Sequence, residues 1–331
     1  MEEKIALALA SDGNYFCGLF VTAASIARFA DAKVELVFNI LDGGISDEDW
    51  TYFVSRVKGL HKESEFRRIR LDEDRFAGFA SWHGSKMTYA RLLLPSLLPN
   101  DEFVVYCDVD FLWMDDVAKL WALRDRSVPL MSVPDVNETV KGWERAWFEG
   151  NGMVLDMTRY FCAGLILFNL RLFRAESLAE KSLAFIDAYH PPMNDQAALN
   201  EVVKGRHVLL PIHWQLYSRD SPIESFVPPF VLHYAGDIPW KISKRSHMLT
   251  DVQLLWFVFD ASIRGISAWR SLRRYYSACE IVFYRVTFKM VMGFPPLKAT
   301  FDALMRKLGR WGFYEKLPPR MLADLKRACC D

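Results

Sequence analysis

The chain has 331 residues, 51% of them hydrophobic and 25% charged, a globular balance that excludes a disordered polymer and allows one large domain with an appendage. No run approaches the roughly 20 uninterrupted apolar residues of a membrane span, and the acidic start MEEKIALALASDGNY has too short an apolar piece for a signal peptide. The net charge of zero conceals an uneven spread. Residues 262–331 hold 14 Lys+Arg against 5 Asp+Glu; taken from the chain's 41 of each, this leaves 27 against 36 for residues 1–261.

IALALA (5–10) reads as a buried strand that ends on the turn-forming cluster Ser11-Asp12-Gly13-Asn14. Apolar positions at helical spacing predict a helix over 17–30, and VELVFNIL (34–41) a second strand broken by Asp42-Gly43-Gly44. Ser46-Asp47-Glu48-Asp49 carries helix-start signals for 48–60, and FRRIRL (66–71) is a third strand. This β–α–β–α–β order predicts an α/β fold with a mostly parallel, doubly wound sheet and ligands at the carboxyl ends of its strands. KMTYARLLLPSLL (86–98) reads as a helix against that sheet and FVVYC (103–107) as a central strand. VPLMSV (128–133) and AGLILF (163–168) are further strands, and helices are expected over 176–189 and 194–203, the second starting at the Asn194-Asp195 pair. Residues 207–217 and 230–235 read as strand or extended chain. Six cysteines (Cys17, Cys107, Cys162, Cys279, Cys329, Cys330) show no CxxC spacing, which implies a reducing, cytoplasmic compartment without structural disulfides or zinc.

The strand at 103–107 runs into Asp108-Val109-Asp110. Alternation along a strand points both carboxylates to one side, where they repel unless a cation sits between them. Hard oxygen ligands suit Mg²⁺ or Mn²⁺, and one added imidazole favours Mn²⁺. On these residues alone, a cation site and a pair of solvated loop aspartates both remain open.

Around this pair the chain resembles a family, the retaining glycosyltransferases of family 8, especially the bacterial lipopolysaccharide and lipooligosaccharide galactosyl- and glucosyltransferases. The motifs run in order over roughly residues 4–241: ALASDGNY (8–15), NILDGGIS (39–46), FAGF (76–79), TYARLLLP (88–95), YCDVD (106–110), YFCAGLILFNL (160–170), NDQAALN (194–200) and HYAGDIPW (233–240). The resemblance implies a GT-A-type, Rossmann-like nucleotide-sugar-binding domain over 1–261, with a mixed, mostly parallel sheet. It further implies a hexosyltransferase that takes galactose or glucose from a UDP-sugar, with Mn²⁺ or Mg²⁺, to a lipid-linked saccharide such as the lipopolysaccharide core.

Carried over position by position, the resemblance assigns Asp12 and Asn14, with backbone from Ala8, to the uracil and ribose. It places Arg91, Val109, Asp135, Ala163, Gly164 and Gly236 at the donor. Asp108, Asp110 and His233 become the metal ligands, Asp108 also lying near ribose or sugar hydroxyls. Asp195 binds sugar hydroxyls and Gln196 lies beneath the anomeric carbon, the two forming the catalytic pair. His83 and Ser85 fall at the acceptor. Each also has a plain structural reading: a helix-capping turn for Asp12, a salt bridge for Arg91, a core histidine for His233, helix capping for Asp195 and Gln196. Two departures stand out. Cys162 replaces an Asn facing the donor sugar, which changes the hydroxyl pattern preferred there. The closing motif, His233 to Trp240, is one residue short and lacks the lysine that neutralises the diphosphate, for which Lys241 or Lys244 would have to substitute.

From 262 to 331 Arg and Lys interleave with Trp269, Tyr275, Tyr276, Phe283, Trp311 and Phe313. This basic helical extension reads as a peripheral anchor on an anionic membrane surface, at the inner face of the cytoplasmic membrane. Nucleic acid is not expected as a partner, because the acidic body offers no basic groove. Two rival functions share these features: a haloacid-dehalogenase-type phosphohydrolase, where Asp-x-Asp also follows an apolar strand, and a non-catalytic protein that binds nucleotide sugars or lipids.

Overall fold

The computed structural model describes residues 4–81, 84–217, 231–236, 238–241, 251–277 and 280. In chain order the elements are β1 Lys4–Ser11, α1 Phe16–Phe29, β2 Glu35–Asp42, α2 Asp47–Leu60, β3 Ser64–Arg70, α3 Leu94–Leu97, β4 Phe103–Cys107, β5 Phe111–Trp113, α4 Val117–Trp121, β6 Leu130–Pro134, α5 Glu138–Gly150, β7 Phe161–Asn169, α6 Leu170–Ala175, α7 Leu178–Tyr189, α8 Asn194–Val203, β8 His207–Leu209, β9 Leu216–Tyr217, β10 Val231–His233, α9 Asp251–Arg264 and α10 Ala268–Arg273. The chain divides into two compact units, Met1–Val109 with Asp116–Gln215, and Asp110–Asp115 with Leu216–Asp331.

The first unit is built on a seven-stranded sheet in the order β3-β2-β1-β4-β7-β6-β8. β1 pairs in parallel with β2 and β4, β2 with β3, and β6 with β8, while β7 runs antiparallel between β4 and β6. The central strands β4 and β7 are almost wholly apolar and buried at every position, as strands covered on both faces are. The chain winds outward from β1 to β3 and then returns to place β4 on the other side of β1. That reversal opens a crevice at the carboxyl ends of β1 and β4, the position where doubly wound sheets bind ligands. Ser11-Asp12 leave β1 there, and Asp108 leaves β4.

Local chemistry sets the boundaries. Ser46 caps α2, accepting from the Asp49 N–H at 3.0 Å, and Asp47, Glu48 and Asp49 lie where the helix dipole favours negative charge. Over Met87–Leu93 the chain forms a 3-10 helix, and only Leu94–Leu97 is α-helical, where a single helix was expected. At the junction the Arg91 carbonyl receives the Leu94 N–H three residues on, since Pro95 has no N–H to give it. Gly43 lets this segment approach β2, because a Cβ there would collide with the Met87 sulfur. The expected helix over 176–189 begins only at Leu178, after Ser177 in a left-handed conformation with φ 52°, and α6 precedes it. Helices α4 and α5 and strand β5 were not foreseen.

In the second unit β10 pairs antiparallel with β5 and parallel with β9. Its helices α9 and α10 carry Trp256, Phe257 and the segment holding Tyr275 and Tyr276. The Tyr275 ring packs 5.9 Å from Trp256, and the Tyr276 hydroxyl donates to the Pro239 carbonyl at 2.6 Å. These two half-buried tyrosines therefore pack on this unit's own core. Phe283, Trp311 and Phe313 lie outside the described residues. Among the described residues no helix is long and apolar enough to cross a membrane.

Candidate active site

One cation and two carboxylates organise the mouth of the crevice in the first unit. Arg91 is 3% exposed. Its NH2 group donates to Asp108 Oδ1 at 2.8 Å, its Nε lies 3.0 Å from Asp195 Oδ2, and its NH1 group donates to the Ala163 carbonyl. Nε also reaches the Thr88 carbonyl, and the guanidinium stacks 4.4 Å over the Tyr106 ring. Burial would lower the Arg91 pKa, yet the Asp108 and Asp195 charges outweigh it and hold the guanidinium protonated. Burial pushes the Asp195 carboxyl up while Arg91 and the Thr88 hydroxyl, which donates at 2.6 Å, pull it back. The Tyr106 hydroxyl donates to Asp108 at 2.9 Å. Two carboxylates around one guanidinium leave the cluster with net negative charge.

Behind this cluster lies the start of α8. The Gln196 amide has one orientation: Oε1 accepts from the Ala163 N–H at 3.0 Å and Nε2 donates to Asp135 Oδ2 at 3.0 Å. Exchanging the two would set one donor against another. Asp135 Oδ1 caps the turn at Asn137, and the Gly164 carbonyl accepts from the Asp108 N–H at 2.8 Å. The site thus threads through β7 at Cys162, Ala163 and Gly164. Cys162 is buried, with its carbonyl receiving the Ser132 hydroxyl at 2.7 Å. Asp195 and Gln196 do not cap α8: Asn194 has φ 47° and no side chain caps the helix start. Their side chains are turned to Arg91 and Asp135 instead.

Asp12 combines both of its readings, since it sits at the crevice and its Oδ1 also accepts from the Asn14 and Tyr15 N–H groups. Asn14 is exposed; Ala8 is buried in β1, opposite Asn39 and Tyr106. The Val109 carbonyl accepts from the Thr22 hydroxyl at 2.9 Å. Ser85 is buried and accepts from the Met87 N–H, whereas His83 lies outside the described residues.

In the second unit, His233 Nε2 lies 3.3 Å from Asp110 Oδ1. The imidazole is stacked on Phe111 at 4.1 Å, with Tyr217 at 5.2 Å, so its plane is fixed. Asp110 Oδ1 is buried and accepts no hydrogen bond from the described residues. Asp108 is tethered two residues before Asp110, so the donor set is two carboxylates and an imidazole, which fits a divalent ion of the Mn²⁺ type. Gly236 takes φ 77° in the turn that follows. Lys241 ends a 3-10 turn, and Lys244 lies outside the described residues.

Four site residues escape a sequence reading: Thr88, Tyr106, Tyr160 and Glu144. Glu144 had a signal, because it shares a four-residue spacing with Val140 and Phe148 on the inward stripe of α5. It is fully buried. Burial pushes its carboxyl from 4.5 to about 7, against the Tyr160 hydroxyl and the Met193 N–H that favour its charged form, and the Asp135 charge adds to the rise. Between pH 4.5 and about 7 the folded protein therefore keeps a proton that the unfolded chain has released, so stability falls as pH rises through that window. Glu144→Gln has no such proton and is expected to lose this slope. Denaturation midpoints of both proteins from pH 5 to pH 8 check it; parallel curves would contradict the assignment.

Comparison with known proteins agrees with this geometry. The family model described as glycosyl transferase family 8 matches residues 6–243. A putative glycosyltransferase of Haemophilus influenzae is 27% identical over 279 residues, covering 81% of this chain and 82% of its own length. General stress protein A of Bacillus subtilis is 24% identical over 272 residues, covering 76% and 92%. Among solved structures, the galactosyltransferase LgtC in complex with donor and acceptor sugar analogs superposes with a TM-score of 0.66 at 25% identity, covering 78% of this chain and 96% of that one. The sheet and its crevice are the GT-A type of fold, and the chain belongs to glycosyltransferase family 8.

Proposed function

We propose that this glycosyltransferase moves a hexose, galactose or glucose, from a UDP-sugar to a hydroxyl of a lipid-linked saccharide such as the lipopolysaccharide core, with retention of configuration. The observation that carries this reading is the Arg91–Asp108–Asp195 cluster at the switch point of the sheet, with Gln196 behind it. Asp12 and Asn14 receive the uridine at the end of β1. Asp108, Asp110 and His233 hold a divalent cation, which supplies charge neutralisation to the departing diphosphate. Asp195 and Asp135 accept hydrogen bonds from sugar hydroxyls, and Arg91 fixes both Asp108 and Asp195 so that the sugar meets a rigid wall.

No strong general base is required. In a same-face displacement the acceptor oxygen attacks as the glycosidic bond breaks, and the departing phosphate oxygen takes the acceptor's proton. Gln196, at the sugar's other face, stabilises the developing positive charge. The basic extension over 262–331, as a peripheral anchor on anionic lipid at the cytoplasmic face, would bring this site to its acceptor. Its first part, through α10 and Tyr276, also supports α9.

Incubation with a panel of UDP-, ADP- and GDP-hexoses and Mn²⁺ tests the reading. Release of UDP from UDP-galactose or UDP-glucose alone is expected. Turnover of phosphate monoesters instead would favour a phosphohydrolase.

A further inference from the structure

The buried carboxyl of Glu144 touches no part of the cluster described above, yet its two oxygens are both committed. Oε2 accepts the Tyr160 hydroxyl at 2.6 Å, and Oε1 accepts the Met193 N–H at 3.2 Å. Both partners lead to Gln196. Tyr160 has a single hydroxyl proton, which it donates in its hydrogen bond to Glu144. The Tyr160 oxygen is then left as an acceptor facing the Gln196 side chain. The amide nitrogen donates to Asp135 and its oxygen accepts from the Ala163 N–H, while the Gln196 backbone N–H donates to the Met193 carbonyl at 3.0 Å. Met193 is the residue before α8, which begins with left-handed Asn194 and has no capping side chain of its own. A remote carboxyl oxygen therefore does the anchoring that a local cap usually does. Tyr160 and Ala197 belong to one buried apolar cluster with Phe148 and Met157, so ring and helix are held in place around these bonds.

We propose that Glu144 is a positioning residue for Gln196, acting through the direction of the Tyr160 hydroxyl proton and through the Met193 N–H at the start of α8. Without Glu144 the Tyr160 hydroxyl turns its proton toward the amide or toward Asp135, and Gln196 loses its single orientation. The catalytic consequence rests on the function proposed above; the orientation of the amide does not.

Three glutamines occur in the chain, Gln196, Gln215 and Gln253, so selective side-chain ¹⁵N-glutamine labelling gives three amide signals, and Gln196→Glu identifies the one that matters. Glu144→Ala and Tyr160→Phe are expected to shift the Gln196 amide pair while leaving the Gln215 and Gln253 signals in place. Both are expected to lower kcat for UDP-hexose about tenfold or more with KM within about threefold, the pattern of a lost transition-state interaction. Glu144→Gln retains one acceptor oxygen and is expected to recover most of the loss. An unshifted Gln196 signal in both Glu144→Ala and Tyr160→Phe would overturn the proposal. So would a fall confined to KM. If Glu144→Ala fails to fold, Tyr160→Phe removes one hydroxyl and decides the matter. Failure of the wild-type protein to turn over any nucleotide sugar would sink the proposed function, and the amide spectra would still decide the role of Glu144.

Discussion

Arg91→Ala is expected to destabilise the first unit by about 3–5 kcal/mol, the usual cost of removing one partner from a buried ion pair. The side chains of Arg91 and Asp195 are 4% and 5% exposed, so Asp195 would be left buried without its cation. The Ala163 and Thr88 carbonyls would lose donors as well. Turnover should vanish with it, since Asp108 and Asp195 both lose the group that orients them. Arg91→Lys keeps the charge but not the fork. One ammonium cannot meet Asp108, Asp195 and two carbonyls in the geometry of the guanidinium, so it is expected to restore part of the stability and little activity. Urea denaturation beside UDP-hexose turnover measures both. A wild-type midpoint in Arg91→Ala would show that the two carboxylates do not depend on this cation.

Asp110→Ala is expected to behave in the opposite way. Its Oδ1 accepts no hydrogen bond from the described residues, and the side chain is 19% exposed, so stability should change little. UDP affinity in the presence of Mn²⁺ should fall by about 100-fold or more, because even residues that only support a metal ligand typically cost 10–100-fold when removed. With a chelator present, the variant and the wild-type protein should bind UDP equally weakly. Calorimetric titration of UDP with Mn²⁺ and with chelator separates the two terms. Unchanged affinity with Mn²⁺ would remove Asp110 from the metal set.

These contrasting outcomes follow from what is local and what is remote in the chain. Strands β1 and β4 and helix α8 were readable because each is a clear pattern within ten residues, and the Asp108-Val109-Asp110 pair stands out against the apolar run before it. The ion pair of Arg91 with Asp195 joins residues 104 positions apart, and no local periodicity records it. Helix α5 was missed because its inward stripe includes Glu144, a charge where an apolar residue belongs. That exception was itself the mark of a buried polar group. Strand β5 is three residues long and exists by pairing with β10, more than 100 residues later. The 3-10 helix over Met87–Leu93 carries helical spacing in its sequence, which does not distinguish it from an α-helix. Sequence pattern placed the charged groups on their strands and helices, whereas the partners of those groups emerged only from the packed sheet.

Retention is read most directly by following the anomeric proton by ¹H NMR while UDP-galactose and UDP-glucose are consumed with Mn²⁺ and a saccharide acceptor. UDP release that stops on chelation is expected, with a product whose first-formed anomer has the α configuration of the donor. A β product, or no metal-dependent UDP release from either donor, would contradict it.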